Sequence, residues 1–210
     1  MAFPIVVLVS GEGTNLQAIL DSVHGDDAEV VGVAASRAEA RGLQRAADAG
    51  VEGAVFASAD HASRAERDQA LGDWIEGQDA ELVVLAGWME LLSAEFVRRF
   101  SGRILNVHPS LLPSFPGIRA IEQAVEHGVR VTGVTVHFVD EGVDTGPIVL
   151  QEALELTYDP QVSDVEAAVH AVEHRLLPRA IRLIAAGAVS TDPDDPGRVR
   201  VREDADVRYG

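Results

Sequence analysis

Apolar residues follow one another along this chain in two forms. Short, nearly continuous runs occupy residues 3–9, 29–35, 51–56 and 82–86, and stripes at three- and four-residue spacing fill the stretches between them. Runs of this length are the pattern of parallel strands covered on both faces, and the stripes are that of helices packed against them. Leu16, Ile19, Leu20 and Val23 form the first stripe, and residues 38–49, 63–76 and 93–100 give three more helices. Strand and helix thus alternate with short connections, which predicts right-handed crossovers and a parallel sheet.

The pattern changes after residue 100. Residues 103–108 read as a strand bounded by Gly102 and Pro109, and 118–127 as a helix closed by Gly128. Residues 131–139 alternate with a period of two, placing Thr135 and His137 on one face. Residues 148–156 follow so closely that the two strands should pair antiparallel. Ser163-Asp164-Val165-Glu166 is a capping box opening a long helix with Val165, Val169, Val172, Leu176 and Leu177 on its buried stripe. Pro178 is expected to kink that helix, because its ring clashes with the carbonyl of His174. From Ser190 the chain turns to Asp, Pro, Gly and Arg, a peripheral tail in which 199–202 would add an edge strand. The expected class is α/β: a mostly parallel central sheet with an antiparallel C-terminal part and helices on both faces.

Composition narrows the chemistry. The chain of 210 residues is long enough for a full core and has no cysteine, which excludes disulfides, thiolate nucleophiles and thiolate metal sites. Residues 3–9 are too short to span a bilayer and carry no basic flank, so a cytoplasmic protein with no membrane partner is expected. The net charge of −17, from 34 acidic and 17 basic residues, would repel a polyphosphate backbone, so no nucleic-acid partner is expected. A small anion is still admissible where backbone N–H groups converge.

Two segments carry candidate chemistry. In residues 103–108 the alternation of side chains puts Asn106 and His108 on one face and Val107 on the other. Buried polar groups must find partners, so an amide and an imidazole side by side on an apolar strand point to a site. Pro109, Pro113 and Pro116 stiffen the loop that follows, and its Leu112-Pro113 bond is expected to be cis. The other segment is Ser10-Gly11-Glu12-Gly13-Thr14-Asn15, a glycine-rich turn between strand and helix where a phosphate would meet free N–H groups. A dinucleotide fingerprint would have glycine at Leu16 and an acidic end to the next strand, which instead closes with Ser36-Arg37. A nicotinamide enzyme therefore stays a minor alternative. Large apolar residues at 87–92 suit either a flat aromatic ligand or packing under the next helix.

His170-Ala171-Val172-Glu173-His174 matches a zinc peptidase pattern, but a further ligand well downstream is missing and no metal site is assigned. Neither a G-x-S-x-G elbow nor a P-loop occurs. Amide plus imidazole suits a carbonyl that becomes tetrahedral, with Asn106 donating to the oxyanion and His108 handling protons. With no evident covalent nucleophile, direct acyl transfer to an amine is favoured over an acyl-enzyme.

Asn106-Val107-His108-Pro109-Ser110-Leu111-Leu112-Pro113, then Pro116-Gly117 and Asp144 ahead of Gly146-Pro147, resembles the folate-dependent formyltransferases. Residues 10–17 and the length resemble the branch acting on phosphoribosylglycinamide in purine synthesis, over about residues 5–187. The resemblance implies a Rossmann-like formyltransferase domain at 1–188, with a phosphate-binding half at 1–100, a catalytic and folate half at 101–188 and the tail at 189–210. It implies formyl transfer from 10-formyltetrahydrofolate, a co-substrate, to the glycinamide amine, with no metal. Asn106, His108 and Asp144 would be catalytic, and Asp144 would raise the pKa of His108 from about 6.5. Gly13, Thr14 and Asn15 would hold the substrate phosphate, and Glu173 with His170 its ribose. The folate would lie along Met89, Glu90, Leu91 and Leu92, Asn106, and Asp140, Glu141, Gly142, Val143 and Asp144, with Arg64 near its glutamate. Glu90 departs from the family's frequent Arg and His170 from its common Gln. Methionyl-tRNA formyltransferases would carry a further RNA-binding domain and a basic face, and formyltetrahydrofolate hydrolases a preceding regulatory domain; neither is expected here. A non-enzymatic nucleotide-binding module would explain the turn but not Asn106 and His108. The reading leaves a homodimer open.

Overall fold

The computed structural model describes residues 2–195 and 197–202. They fall into two compact units, one up to Asn106 and one from Val107 onward. In the first, β1 (Phe3–Val9), β2 (Ala28–Ala35), β3 (Gly53–Val55), β4 (Leu82–Leu85) and β5 (Ile104–His108, which runs on past the boundary) lie in the order β3-β2-β1-β4-β5. Every pairing in that series is parallel, with β1 central between β2 and β4. Its residues Ile5 to Val9 are fully buried, which is why the run lacks polar alternation. The crossovers are α1 (Thr14–Ser22), α2 (Arg41–Asp48), α3 (Arg64–Gly77) and α4 (Ala94–Arg99). Ser63 and Ser93 cap α3 and α4, accepting from the N–H groups of Glu66 and Phe96.

The second unit holds α5 (Ala120–His127), β6 (Val131–Phe138), β7 (Ile148–Glu155) and α6 (Val162–Ala185), with β6 and β7 antiparallel as the short loop required. Gly146 is needed there, since a Cβ would strike the carbonyl of Phe138. Parallel strands with helical crossovers and an antiparallel pair make up the expected mixed α/β class.

Three local expectations are corrected. Helix α5 begins at Ala120, not at 118, because Gly117 (φ 81°) and Arg119 (φ 60°) hold the chain in the left-handed region first. Helix α6 starts ahead of the capping box: the carbonyl of Gln161 accepts from the N–H groups of Asp164 and Val165, bonds that a Ser163 cap would forgo. The helix then runs unbroken through Pro178 with the predicted stripe buried. In the tail, β8 (Val189–Thr191) and β9 (Val199–Val201) pair with each other as a two-stranded sheet, so no edge strand is added to a larger one. The residues of the expected tail beyond 202 lie outside those described.

Candidate active site

In the second unit two buried imidazoles and a part-buried carboxylate come together from three segments. His108 ends β5 at 4% exposure, His137 comes from β6 at 1%, and Asp144 from the loop between β6 and β7. Asp144 adopts a left-handed backbone (φ 53°) and turns its carboxylate toward both imidazoles. Its Oδ2 lies 3.4 Å from His108 Nδ1 and its Oδ1 3.6 Å from His137 Nε2. The N–H of Gly117 donates to Oδ2 at 2.7 Å. Positions 36 apart in sequence are thus joined, as the family resemblance implied for His108 and Asp144.

The protons on His108 follow from its partners. Nε2 sits 2.9 Å from the carbonyl of Phe115, which can only accept, so Nε2 carries a hydrogen. Nδ1 therefore gains or loses the titrating proton, facing Asp144. Burial pushes the imidazole below its ordinary pKa, and that outweighs the Phe115 carbonyl and the Asp144 charge, which both favour the charged ring. The expected net rise is therefore corrected to a net fall: the carboxylate acts in the expected direction, but desolvation is larger. Asp144 is held below the usual carboxylate range; burial works against this, but the hydrogen bonds from His137 and the Gly117 N–H prevail. A neutral imidazole beside an ionised carboxylate is the resting state near neutral pH.

The loop after His108 is fixed by more than its prolines. Thr135, fully buried, donates to the carbonyl of Ser110 (2.7 Å) and accepts from the Leu112 N–H (3.0 Å). Gln151 donates to both Thr135 Oγ1 and the Leu112 carbonyl, each at 2.9 Å. The Leu112-Pro113 bond is cis, as expected. Ser110, a conceivable nucleophile, donates its hydroxyl to the Ser114 carbonyl. Asn106 shares the strand face of His108 by alternation and is part-buried. Neither His137 nor the Thr135–Gln151 bracket was nominated from sequence. The signal was present, since Thr135 and His137 form a second buried polar pair on one strand face.

Other nominated residues are placed less tightly. Asp140 accepts from the Gly142 N–H (3.0 Å) and the Thr145 hydroxyl (2.7 Å), shaping the loop, while Glu141 and Val143 are exposed. On α6, Glu173 is buried at 5% and His170, one turn before it, is exposed. The rings of His170 and His174 stack at 6.2 Å, and burial, helped by His170, lowers the His174 pKa. Among the described residues no cluster of three or more His, Cys, Asp or Glu is placed to hold a metal ion.

In the first unit the glycine turn leads into α1. Gly13 is left-handed (φ 69°) and packs so closely on α2 that a Cβ would lie 2.7 Å from the Gly42 Cα. No side chain caps α1, and its first turn has no acidic residue, so its N-terminal field is left for an anion. Arg45 donates from Nε to the Glu12 carbonyl (2.8 Å), and Arg41 pairs with the Glu12 carboxylate (2.9 Å). After β4, Met89 and Leu91 project at 79% and 65% exposure, so the strip is not merely packed under the next helix. Arg64, at the start of α3, is exposed.

A buried imidazole facing a carboxylate can take up and return a proton. The chain belongs to the formyl transferase family, whose profile matches residues 4–181. It is 41% identical over 185 residues to a phosphoribosylglycinamide formyltransferase of Haemophilus influenzae, covering 87% of each chain. It is 42% identical over 194 residues to the trifunctional purine biosynthetic protein adenosine-3 of Drosophila melanogaster, covering 90% of this chain but spanning only 14% of that relative. Among solved structures it resembles glycinamide ribonucleotide transformylase 1 from Symbiobacterium toebii, with a TM-score of 0.91, 45% identity and coverage of 96% of this chain and 95% of that one. Among the described residues no helix is long and apolar enough to cross a membrane.

Proposed function

We propose that this protein transfers the formyl group of 10-formyltetrahydrofolate to the amine of phosphoribosylglycinamide. The family supplies the reaction type, and the relatives of similar length the acceptor. The observation that carries the mechanism is the buried His108 with its Nδ1 turned to Asp144. The amine nitrogen attacks the formyl carbon, and the carbonyl oxygen becomes an oxyanion to which Asn106 donates. The amine must lose a proton and the departing folate nitrogen must gain one. Nδ1 of His108 can hold that proton, because Asp144 and the new oxyanion both favour the charged ring once it forms. Burial keeps the ring neutral before then, so charge is separated only in the transition state.

The phosphate is assigned to Gly13, Thr14 and Asn15 at the N-terminus of α1, and the ribose to Glu173 with His170. The folate is assigned to Met89–Leu92, Asn106 and residues 140–144, with Arg64 near its glutamate. Incubation with 10-formyltetrahydrofolate, with and without phosphoribosylglycinamide, tests the reading. Formylated product formed only with the acceptor supports it; release of formate without acceptor would indicate a hydrolase, and no turnover of either a binding protein.

A further inference from the structure

We propose that Glu90 is a specificity-determining residue for the formyl donor: it fixes a net negative charge on the Met89–Leu92 strip and disfavours donors bearing additional carboxylates. The inference rests on the reading that the donor lies along this strip. Beneath it is Arg67, 1% exposed, whose five N–H groups all meet acceptors. Nε and Nη2 donate to Asp68 Oδ1 at 2.9 and 2.6 Å, and Nη2 also to the Leu91 carbonyl at 2.8 Å. Nη1 donates to Ser58 Oγ at 2.9 Å and to Glu90 Oε2 at 3.0 Å. Asp68 is equally buried and gives its other oxygen to the Ser93 N–H at 2.6 Å.

One guanidinium therefore faces two carboxylates. Asp68 neutralises Arg67 inside the protein, so the surplus charge lies on Glu90, whose side chain is 39% exposed. Its Oε2 also accepts from the Ser58 hydroxyl at 3.1 Å. The strip is also pinned at its start, where the Met89 N–H donates to Ser10 Oγ at 2.8 Å. Residues advance by at most about 3.6 Å each, so Met89 and Leu92 both lie within a Debye length of Glu90, about 8 Å at physiological salt. A donor carboxylate that comes within that distance of Glu90 meets its charge.

Changing Arg67 would strand a buried carboxylate, so the test is made at Glu90. Glu90→Gln keeps an acceptor for Arg67 and Ser58 while removing the charge. Donors with one and with three glutamates are compared, at low and high salt. We expect Glu90→Gln to lower KM for the triglutamyl donor by about three- to tenfold relative to the monoglutamyl donor. High salt should narrow the parent's preference but not the variant's. Leu91→Ala is the companion variant and should raise the donor KM. If it does and the Glu90→Gln ratio equals the parent's, the charge inference is overturned by itself. If Leu91→Ala leaves the donor KM unchanged, the donor is not on the strip, and reading and inference fall together.

Discussion

The glycine turn and the cluster around His108 are built by opposite means. The turn uses backbone: a left-handed Gly13, an uncapped helix and arginines held by Glu12, with Ser10 and Asn15 buried beside it. The cluster uses side chains: buried His108 and His137 and part-buried Asp144 are drawn from three segments, and the charge of His108 depends on its burial and on Asp144. Backbone donors keep their polarity at any pH and suit the holding of a phosphate. A buried imidazole has two states separated by its surroundings, and that suits proton transfer.

The largest test of this contrast is Asp144→Asn, which keeps shape and removes charge. Turnover should fall by about 10² to 10⁴ with modest change in the affinity of either ligand. Steady-state kinetics with separate binding measurements check it, and an equal loss of ligand affinity would make the cluster a binding site.

At the turn, Gly13→Val meets both a positive φ and the Gly42 backbone, so it should weaken the fold as well as the acceptor site, by about 1–3 kcal/mol. Gly11→Ala is the cleaner probe, because its Cβ would meet only Arg37, at 3.6 Å. It should raise the acceptor KM by about three- to tenfold and leave the donor KM alone. A rise in both would show that the turn merely supports the fold.

His137→Asn removes the imidazole whose contact helps to hold Asp144 below the carboxylate range. Turnover should fall by about 3- to 30-fold, less than for Asp144→Asn, with the Asp144 pKa moving up. A loss as large as that of Asp144→Asn would put His137 in the chemistry itself.

The smallest effect is on stability. The folded pKa of His108 is lowered, so below about 6.5 the unfolded chain binds a proton that the folded chain refuses. Stability should be full above that pH and decline as pH falls from 6.5 toward the folded pKa; denaturant titrations at pH 7.5 and 5.5 would show it.

The same contrast explains what was legible in the sequence. Backbone devices leave local marks: the apolar run of 3–9, the glycines at 11 and 13 and the short link between β6 and β7 each dictate a nearby shape. Asn106 and His108 were legible because alternation on one strand is local too. That His137 joins Asp144 was not, since a contact across segments has no spacing to read. The pKa direction of His108 was misjudged for a related reason: a carboxylate partner can be inferred from a motif, whereas the depth of burial comes from packing of the whole unit. The start of α6 was missed because a capping box competes with helix propagation, and two more backbone bonds to the Gln161 carbonyl prevailed.

The central claim is that His108 rests neutral because burial outweighs a carboxylate that nonetheless favours its charged form. Titration of the His108 ring by NMR in the parent and in Asp144→Asn tests it most directly. A pKa below 6.5 in the parent, lower still in the variant, with the acid limb of turnover moving down alongside it, is the predicted result. A parent value at or above 6.5, or the same value in both proteins, would contradict it.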